Sequence, residues 1–245
     1  MLRKLLFIAV ALTLTACGSK YPYPPNYVSP DTVSARTIPA PPAAYSKEWY
    51  RDVDAVIASQ QNITPDTIAK IKAEKPVLPE MLATSVLGSN VTEARYPALF
   101  ELLKRTGSDS WRISDTTKDY WGTTRPYLMD KRVRLYAESI TSNAYPSGHT
   151  TTNFVWAQVL SDLVPSAREA LYARALEVAQ HRMMGGVHYP HDLQGGQLLA
   201  GEIVAKMKTI PQFQQDFAKA QAELRAHPIQ YKKSCCCKGH CKRKR

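Results

Sequence analysis

Apolar residues recur at helical spacing along most of the chain after Ser46. In "SKEWYRDVDAVIASQ", Trp49, Val53 and Val56 fall on one helical face, and Ser46 can cap the first turn. The same period runs through "HTTTNFVWAQVLSDLVP", "SAREALYARALEVAQHRMM" and "PQFQQDFAKAQAELRAH". The chain has little alternation of strand type and no fixed-period repeat. We therefore predict a single all-α domain, a packed helical bundle over residues 46–230.

The first residues have the pattern of an export signal. Arg3 and Lys4 precede "LLFIAVALTLTA", an apolar run too short for a stable membrane span. It ends in "LTAC", which resembles the lipobox of bacterial lipoproteins, so we expect a signal peptide over residues 1–16 and lipidation of Cys17. The alternative is an ordinary secretory signal with an incidental cysteine. Gly18 in place of Asp indicates sorting to the outer membrane, and thus a periplasmic, lipid-anchored protein.

Two flanking segments differ from the helical body in composition. Residues 17–45 hold seven of the seventeen prolines, which predicts an extended tether. Residues 231–245 hold four of the five cysteines within a basic run, which predicts a disordered, solvated tail. Metal binding through the tail thiols and His240, or attraction to anionic lipid head groups, are the alternatives. The body between these segments has no cysteine and hence no disulfide.

The formal net charge of +11 overstates the charge of the body. Nine of these charges belong to Arg3, Lys4 and the seven basic residues after Tyr231, which leaves +2 for residues 17–231. A nearly neutral body does not indicate nucleic-acid binding. No segment after the signal is long and apolar enough to predict a membrane span.

Two long cations lie in "SDSWRISDTTKDYWGTTRP", which we predict to be one helix that ends before Pro126. Lys118 and Arg125 are seven residues apart, so on one helix they would project from nearly the same face. Such a pair is either a solvated basic face or the binding site of an anion.

A second group lies in "YPSGHTT", from Tyr145 to Thr151. Ser147 can cap a helix, and Gly148 allows a ligand to approach the free N–H groups at the helix start. His149 would then stand beside a bound anion. Taken alone, the segment favours a capping turn that carries a surface histidine over an anion site.

A third group lies in "HRMMGGVHYPHDLQGG". Arg182 ends one helix, and Pro190 suits the first position of the next. Asp192 follows His188 by four residues and can accept its Nδ1–H, which would leave Nε2 as a nucleophile. His191 is the local rival of His188, but we expect it to face elsewhere because it lacks an aspartate at that spacing.

Together these groups supply cations for an oxyanion, neutral donors, a nucleophile and a proton donor. That combination suits phosphoryl transfer without a metal or cofactor. The spacing Lys-x6-Arg-Pro, Pro-Ser-Gly-His and Arg-x5-His-x3-Asp resembles the signature of the type 2 phosphatidic acid phosphatase superfamily. The chain looks most like its bacterial class A nonspecific acid phosphatases from about Tyr96 to Leu224. This resemblance implies an all-α bundle of the acid phosphatase/vanadium haloperoxidase type.

The resemblance also implies roles for individual residues. His188 would attack phosphorus to form a phosphohistidine, Asp192 would orient it, and His149 would protonate the leaving group and then activate water. The phosphate oxygens would be held by Lys118, Arg125, Ser147, Gly148 and Arg182. The family usually has Ser where this chain has His181, which puts the details of oxygen binding in question.

The sequence thus predicts a metal-independent acid phosphatase for small phosphomonoesters, active on the acidic side of neutrality. A lipid phosphate or pyrophosphate phosphatase is an alternative, although those enzymes usually have several transmembrane helices. A vanadium haloperoxidase or a non-enzymatic lipoprotein tether ranks lower. We expect a membrane association through the lipid anchor and no nucleic-acid partner, and homo-oligomerisation stays open.

Overall fold

The computed structural model describes residues 26–231, a region that contains nine α-helices and no strand. The α-helices are α1 (Lys47–Ser59), α2 (Pro65–Ala73), α3 (Ala83–Leu87), α4 (Pro97–Trp121), α5 (Pro126–Met129), α6 (Gly148–Leu163), α7 (Arg168–Met184), α8 (Pro190–Met207) and α9 (Pro211–Ala226). Short 3₁₀ segments occupy Ala35–Thr37, Pro79–Met81 and Pro165–Ala167. The predicted all-α class is confirmed.

Helix α6 is the central element of the bundle. It packs against α4, α7 and α8, and α9 covers the other side of α4. Almost every residue from Gly148 to Ser161 is buried, as expected for a helix whose apolar and small polar residues run around its whole circumference. The start of α6 is therefore enclosed by neighbouring helices, and that is where the candidate site lies.

The helix that carries Lys118 is longer at its start and shorter at its end than predicted. The residues before the predicted segment join it in the single helix α4, which continues through Gly107. A Cβ at this position would lie 2.6 Å from the Trp156 ring, so the close packing against α6 requires glycine there. Helix α4 ends at Trp121, because Gly122 adopts the left-handed conformation (φ 61°) that terminates helices. Arg125 instead precedes Pro126 at the start of α5, so the prediction that Lys118 and Arg125 share one helical face was wrong.

The prediction of an extended tether over residues 17–45 was wrong for the part of it that the structure describes. Tyr27, Val28, Val33 and Ile38 are buried in the main hydrophobic core. The backbone N–H groups of Tyr27 and Val28 donate to Asp109 Oδ2 on α4 at 2.7 and 3.1 Å. The folded domain therefore includes residues 26–45, because their apolar side chains find a place in the core despite the prolines.

Three predictions fall on residues outside the described range 26–231. These are the signal peptide, the lipidation of Cys17 and the cysteine-rich tail after Tyr231. Within the described range, no helix has both the length and the apolar composition needed to cross a bilayer.

Candidate active site

A cavity of about 320 Å³ opens beside the start of α6. Its walls come from α2, α4, α6, α7 and the loop of residues 138–142. Six of the eight predicted site residues line it, namely Lys118, Arg125, Gly148, His149, Arg182 and His188. The other two, Ser147 and Asp192, are fully buried behind this wall.

His188 is held by a carboxylate on one nitrogen. Its Nδ1–H donates to Asp192 Oδ2 over 3.0 Å, the contact predicted from their spacing. The same oxygen accepts the backbone N–H of Tyr189 at 2.9 Å, which fixes the carboxylate at the start of α8. Nε2 is therefore the nitrogen that remains for chemistry, and Arg125 Nη1 lies 3.2 Å from it and can donate to it.

Arg125 is fixed in the cavity wall by main-chain carbonyl groups. Its guanidinium donates to the carbonyl oxygens of Ser142, Asn143 and Val187 at 2.8–2.9 Å. Val187 is placed by a turn at Gly186 (φ 79°), where a Cβ would lie only 2.3 Å from the carbonyl oxygen of Arg134. The glycine thus permits the close approach that brings the loop of Val187 and His188 against Arg125.

Lys118 and Arg182 add two buried cations to the cavity. The Lys118 ammonium donates to the carbonyl oxygens of Ala144, at 2.8 Å, and of Pro146. Burial and the neighbouring Arg125 lower its pKa to about 7. Burial and Arg125 also lower the pKa of Arg182, to about 10. The Arg182 Nε–H is buried and has no hydrogen-bond partner within residues 26–231, so it is a donor available to an anion.

The start of α6 is closely packed around Gly148. Ser147 is the N-cap, and its hydroxyl accepts from the Thr150 backbone N–H at 3.3 Å and the Thr150 hydroxyl at 2.9 Å. A Cβ on Gly148 would lie 3.2 Å from the Trp111 ring and 3.3 Å from Ser114 Oγ. The predicted cap is therefore confirmed. The predicted contact of the Ser147 hydroxyl with phosphate stays a prediction, because that hydroxyl does not line the cavity.

His149 is held by backbone carbonyl groups rather than by a carboxylate. Its Nε2–H lies 3.1 Å from the Glu74 oxygen and 3.2 Å from the Lys75 oxygen. The ring is packed edge to face against Trp111, with centroids 5.6 Å apart. Nδ1 is therefore the nitrogen available to a ligand. Burial and then the Arg182 charge lower the pKa of His149 to about 3, so the ring is neutral while the cavity holds no anion.

Glu74, whose carbonyl holds His149, is itself tied to α7. Its carboxylate accepts from Arg174 Nη2 at 2.6 Å and from His181 Nδ1 at 2.8 Å. Burial raises the pKa of Glu74, but the hydrogen bonds from His181 and Arg174 outweigh it and leave the pKa below its usual value. His181 stands where the resembled family has Ser. Its side chain contacts Glu74 and does not line the cavity.

His191 does not line the cavity, in agreement with our prediction, but it contacts Asp192, which its spacing did not indicate. Its Nε2 lies 3.2 Å from Asp192 Oδ1, and its Nδ1 contacts Asp52 on α1. The sequence also gave no indication of Glu74 or Asp52 as site residues. Their partners are 107 and 139 positions away, and no local motif marks either residue.

Comparison with known proteins matches residues 107–215 to the PAP2 superfamily. The match covers 109 of the 245 residues, so the chain is similar to this superfamily over less than half of its length. The matched region contains all eight predicted site residues, whereas Asp52 and Glu74 precede it. The matched residues include the larger part of α4 and the whole of α6, α7 and α8, whereas α1 and α2 precede them.

Two curated relatives are non-specific acid phosphatases. The one from Salmonella typhimurium is 28% identical over 144 residues, which are 57% of this chain and 58% of that protein. The one from Providencia stuartii is 26% identical over 146 residues, 58% of this chain and 59% of that protein. The chain thus spans less than two thirds of the curated relatives that it matches.

Among solved structures, a bacterial vanadium-dependent iodoperoxidase is similar with a TM-score of 0.56 at 19% identity. The similarity covers 77% of this chain and 60% of that one. It shows that the helical bundle of this protein is similar to that of the iodoperoxidase.

Proposed function

We propose that this protein is a metal-independent acid phosphatase that hydrolyses phosphomonoesters through a phosphohistidine on His188. The observation that carries the proposal is that five side chains line one cavity. Three are the cations Lys118, Arg125 and Arg182, and two are the imidazoles of His188 and His149, which are hydrogen-bonded through different ring nitrogens. Three buried cations in one wall repel one another unless an anion lies between them. The unpartnered Arg182 Nε–H supplies a donor for such an anion.

The bound phosphate would be neutralised by these cations before it reacts. Guanidinium groups bind phosphate oxygens through paired, charge-assisted hydrogen bonds, and such fixed donors stabilise the charge of the transition state. The Arg125 Nη1–H that faces His188 Nε2 would turn to a phosphate oxygen. That movement would free the Nε2 lone pair for attack.

The first chemical step would be in-line attack of His188 Nε2 on phosphorus. A phosphorus–nitrogen bond forms, the bond to the leaving oxygen breaks, and the leaving oxygen takes a proton from His149 Nδ1. The Nδ1–H bond to Asp192 supports the positive charge that develops on the His188 ring. In the second step, His149 would take a proton from water, which attacks phosphorus and regenerates His188 with release of inorganic phosphate.

Acidic conditions suit this assignment because His149 must carry a proton at Nδ1 when the substrate is bound. Burial and Arg182 lower its pKa to about 3 in the empty site. A phosphate anion beside Nδ1 would raise that pKa by opposing the field of the cations. We therefore expect turnover to fall as the pH rises above neutrality.

The donor set of the site is compatible with a reaction that needs no metal. Within residues 26–231, the His, Asp and Glu side chains form no group of three that could hold a metal ion. Charge neutralisation would instead come from Lys118, Arg125 and Arg182. The support for phosphatase chemistry from relatives is the name of the two curated proteins, non-specific acid phosphatase.

The proposal is tested by phosphate release from p-nitrophenyl phosphate with the purified full chain. We expect activity that persists in EDTA and is inhibited by vanadate, which mimics the five-coordinate phosphorus of the transition state. Arg182→Ala should lower kcat/KM about 10²–10³-fold, since a fixed donor to the transition state is lost. Arg225→Ala is the matched control, because Arg225 is exposed and, within residues 26–231, its hydrogen bond is to Gln221. Loss of all activity in EDTA, or an unchanged Arg182→Ala enzyme, contradicts the proposal.

The proposed cellular setting is a periplasmic enzyme anchored to the outer membrane by a lipid on Cys17. This part rests on the lipobox-like "LTAC" and on Gly18. Metabolic labelling with a radioactive fatty acid tests it. We expect label on the wild-type protein and none on Cys17→Ser, and label that persists in Cys17→Ser contradicts the anchor.

A further inference from the structure

His191 shares the carboxylate of Asp192 with the proposed nucleophile. His188 Nδ1 lies 3.0 Å from Oδ2, and His191 Nε2 lies 3.2 Å from Oδ1. The other nitrogen of His191 contacts Asp52 Oδ2 on α1. The four side chains therefore alternate between carboxylate and imidazole from α1 to the cavity.

Packing fixes the ring of His191 in this chain of contacts. It stacks on Tyr189 with centroids 5.0 Å apart and an interplanar angle of 14°. Tyr145 approaches the same ring at 5.9 Å, and Trp49 packs on Tyr189 at 6.2 Å. The His191 side chain is only 11% exposed. A reorientation of the ring would require these aromatic neighbours to move.

His191 Nδ1 is hydrogen-bonded to Asp52, and its Nε2 lies at ion-pair distance from Asp192 Oδ1, a buried oxygen with no hydrogen-bond partner among the described residues. A ring between two carboxylates is favoured in its charged imidazolium form. Burial lowers the pKa of His191, but the contacts with Asp192 and Asp52 outweigh it and raise the pKa to about 9. The ring is therefore charged over the whole acidic range in which the proposed phosphatase would act.

We infer that His191 is a positioning residue that acts on His188 through Asp192. As an imidazolium paired with Asp192, it weakens the attraction of that carboxylate for a positive charge on His188, and so keeps His188 Nε2 unprotonated in acid. The inference rests on the proposed function. Without the His191 charge, Asp192 would be a stronger acceptor for the Nδ1–H of His188. His188 would then take a second proton at higher pH, and that proton would block the Nε2 lone pair.

Other groups around the two rings set the direction of each expected change. His188 also faces the cations Arg125 and Lys118, which remain in every variant considered. His191 faces Asp52 from α1, Asp192 from its own helix, and the rings of Tyr189 and Tyr145. The positive charge of His191 is therefore balanced locally by Asp52. Removal of either charge leaves the other unopposed near His188, whereas removal of both His191 and Asp52 leaves the local net charge unchanged.

The test is the pH dependence of kcat/KM in His191→Gln, Asp52→Asn and the double variant of the full chain. His191→Gln keeps a donor toward Asp192 but loses the charge, so its acidic limb should move to higher pH by on the order of one unit. Asp52→Asn should show no upward movement. The double variant should return the limb toward the wild-type position. Asp54→Asn, on the exposed side of α1, is the matched control.

A purely structural role for His191 predicts lower activity in all variants and an unmoved acidic limb, and that result overturns the inference. An upward shift in Asp52→Asn equal to that in His191→Gln also overturns it. Should His191→Gln fail to fold, comparison of Asp52→Asn with the double variant isolates the same charge. The double variant should then have the limb at higher pH. A wild-type protein without phosphatase activity contradicts the proposed function instead, so the two failures are distinguishable.

Discussion

The two imidazoles that line the cavity are anchored to different kinds of acceptor. His188 donates from Nδ1 to the Asp192 carboxylate at 3.0 Å and has Nε2 left for chemistry. His149 donates from Nε2 to main-chain carbonyl oxygens of Glu74 and Lys75 and has Nδ1 left. Both rings are buried, and both pKa values lie below that of a free histidine, mainly because of burial.

The difference between a carboxylate and a carbonyl anchor separates the proposed roles. A carboxylate stabilises a positive ring, which a phosphohistidine requires once its second nitrogen is substituted. Carbonyl dipoles fix the orientation of the ring but do not neutralise a full charge, so a proton on His149 is easily given up. The anchors therefore favour His188 as the nucleophile and His149 as the acid and base.

The largest effect should come from removal of the nucleophile. His188→Ala should lower kcat by about 10⁴-fold or more, because no covalent intermediate can form. Steady-state release of p-nitrophenol measures this loss. His227→Ala is the matched control, since His227 is exposed after α9. Comparable activity in His188→Ala and His227→Ala would remove the basis for the two roles.

Removal of the acid should have an effect that depends on the leaving group. His149→Ala should lower kcat/KM about 10²–10⁴-fold for an alkyl phosphate, whose leaving oxygen needs a proton. The loss should be much smaller for p-nitrophenyl phosphate, whose leaving group departs as a stabilised anion. An equal loss with both substrates is the result that an acid role does not allow.

The sequence predicted the hydrogen-bond partner of His188 but not that of His149. The His188–Asp192 contact followed from a spacing of four residues at a Pro-initiated helix, and the Ser147 cap followed from local chemistry. The contact of His149 with Glu74 could not be predicted from a local pattern, because only the packing of α2 against the rest of the bundle brings the two residues together. Residues 26–45 were misassigned for a similar reason. Their prolines indicate an extended chain, but Tyr27 and Val28 pack into the core under a carboxylate on α4.

A smaller effect is expected from the residues that support the His149 anchor. Glu74→Gln weakens the contacts of this buried side chain with Arg174 and His181, at a cost of about 1–3 kcal/mol in unfolding free energy. Because the backbone of Glu74 holds His149, kcat for an alkyl phosphate should fall more than kcat for p-nitrophenyl phosphate. Glu202→Gln, exposed on α8, is the control. Loss of stability without this substrate dependence would limit Glu74 to a structural role.

The last expected effect concerns stability rather than activity: the protein should lose stability in acid, and anions should oppose this loss. The pKa of His149 is lowered from 6.5 to about 3 by burial and Arg182, so the unfolded chain binds a proton there that the folded chain does not. The stability that the folded protein gains from a neutral His149 is fully present above pH 6.5 and is lost as the pH falls toward about 3. Urea unfolding at a series of pH values should show the decline, and vanadate should reduce it. His149→Asn should flatten the decline, and an unchanged slope would contradict the assignment.

Capture of the phosphoenzyme tests the distinction between the two imidazoles most directly. The purified chain is mixed with p-nitrophenyl phosphate, quenched in alkaline detergent, where phosphohistidine survives, and digested for mass spectrometry. We predict phosphate on the peptide that contains His188. It should accumulate in His149→Ala, where activation of water is slowed, and be missing in His188→Ala. Phosphate on another residue, or a labelled His188→Ala enzyme, would contradict the account.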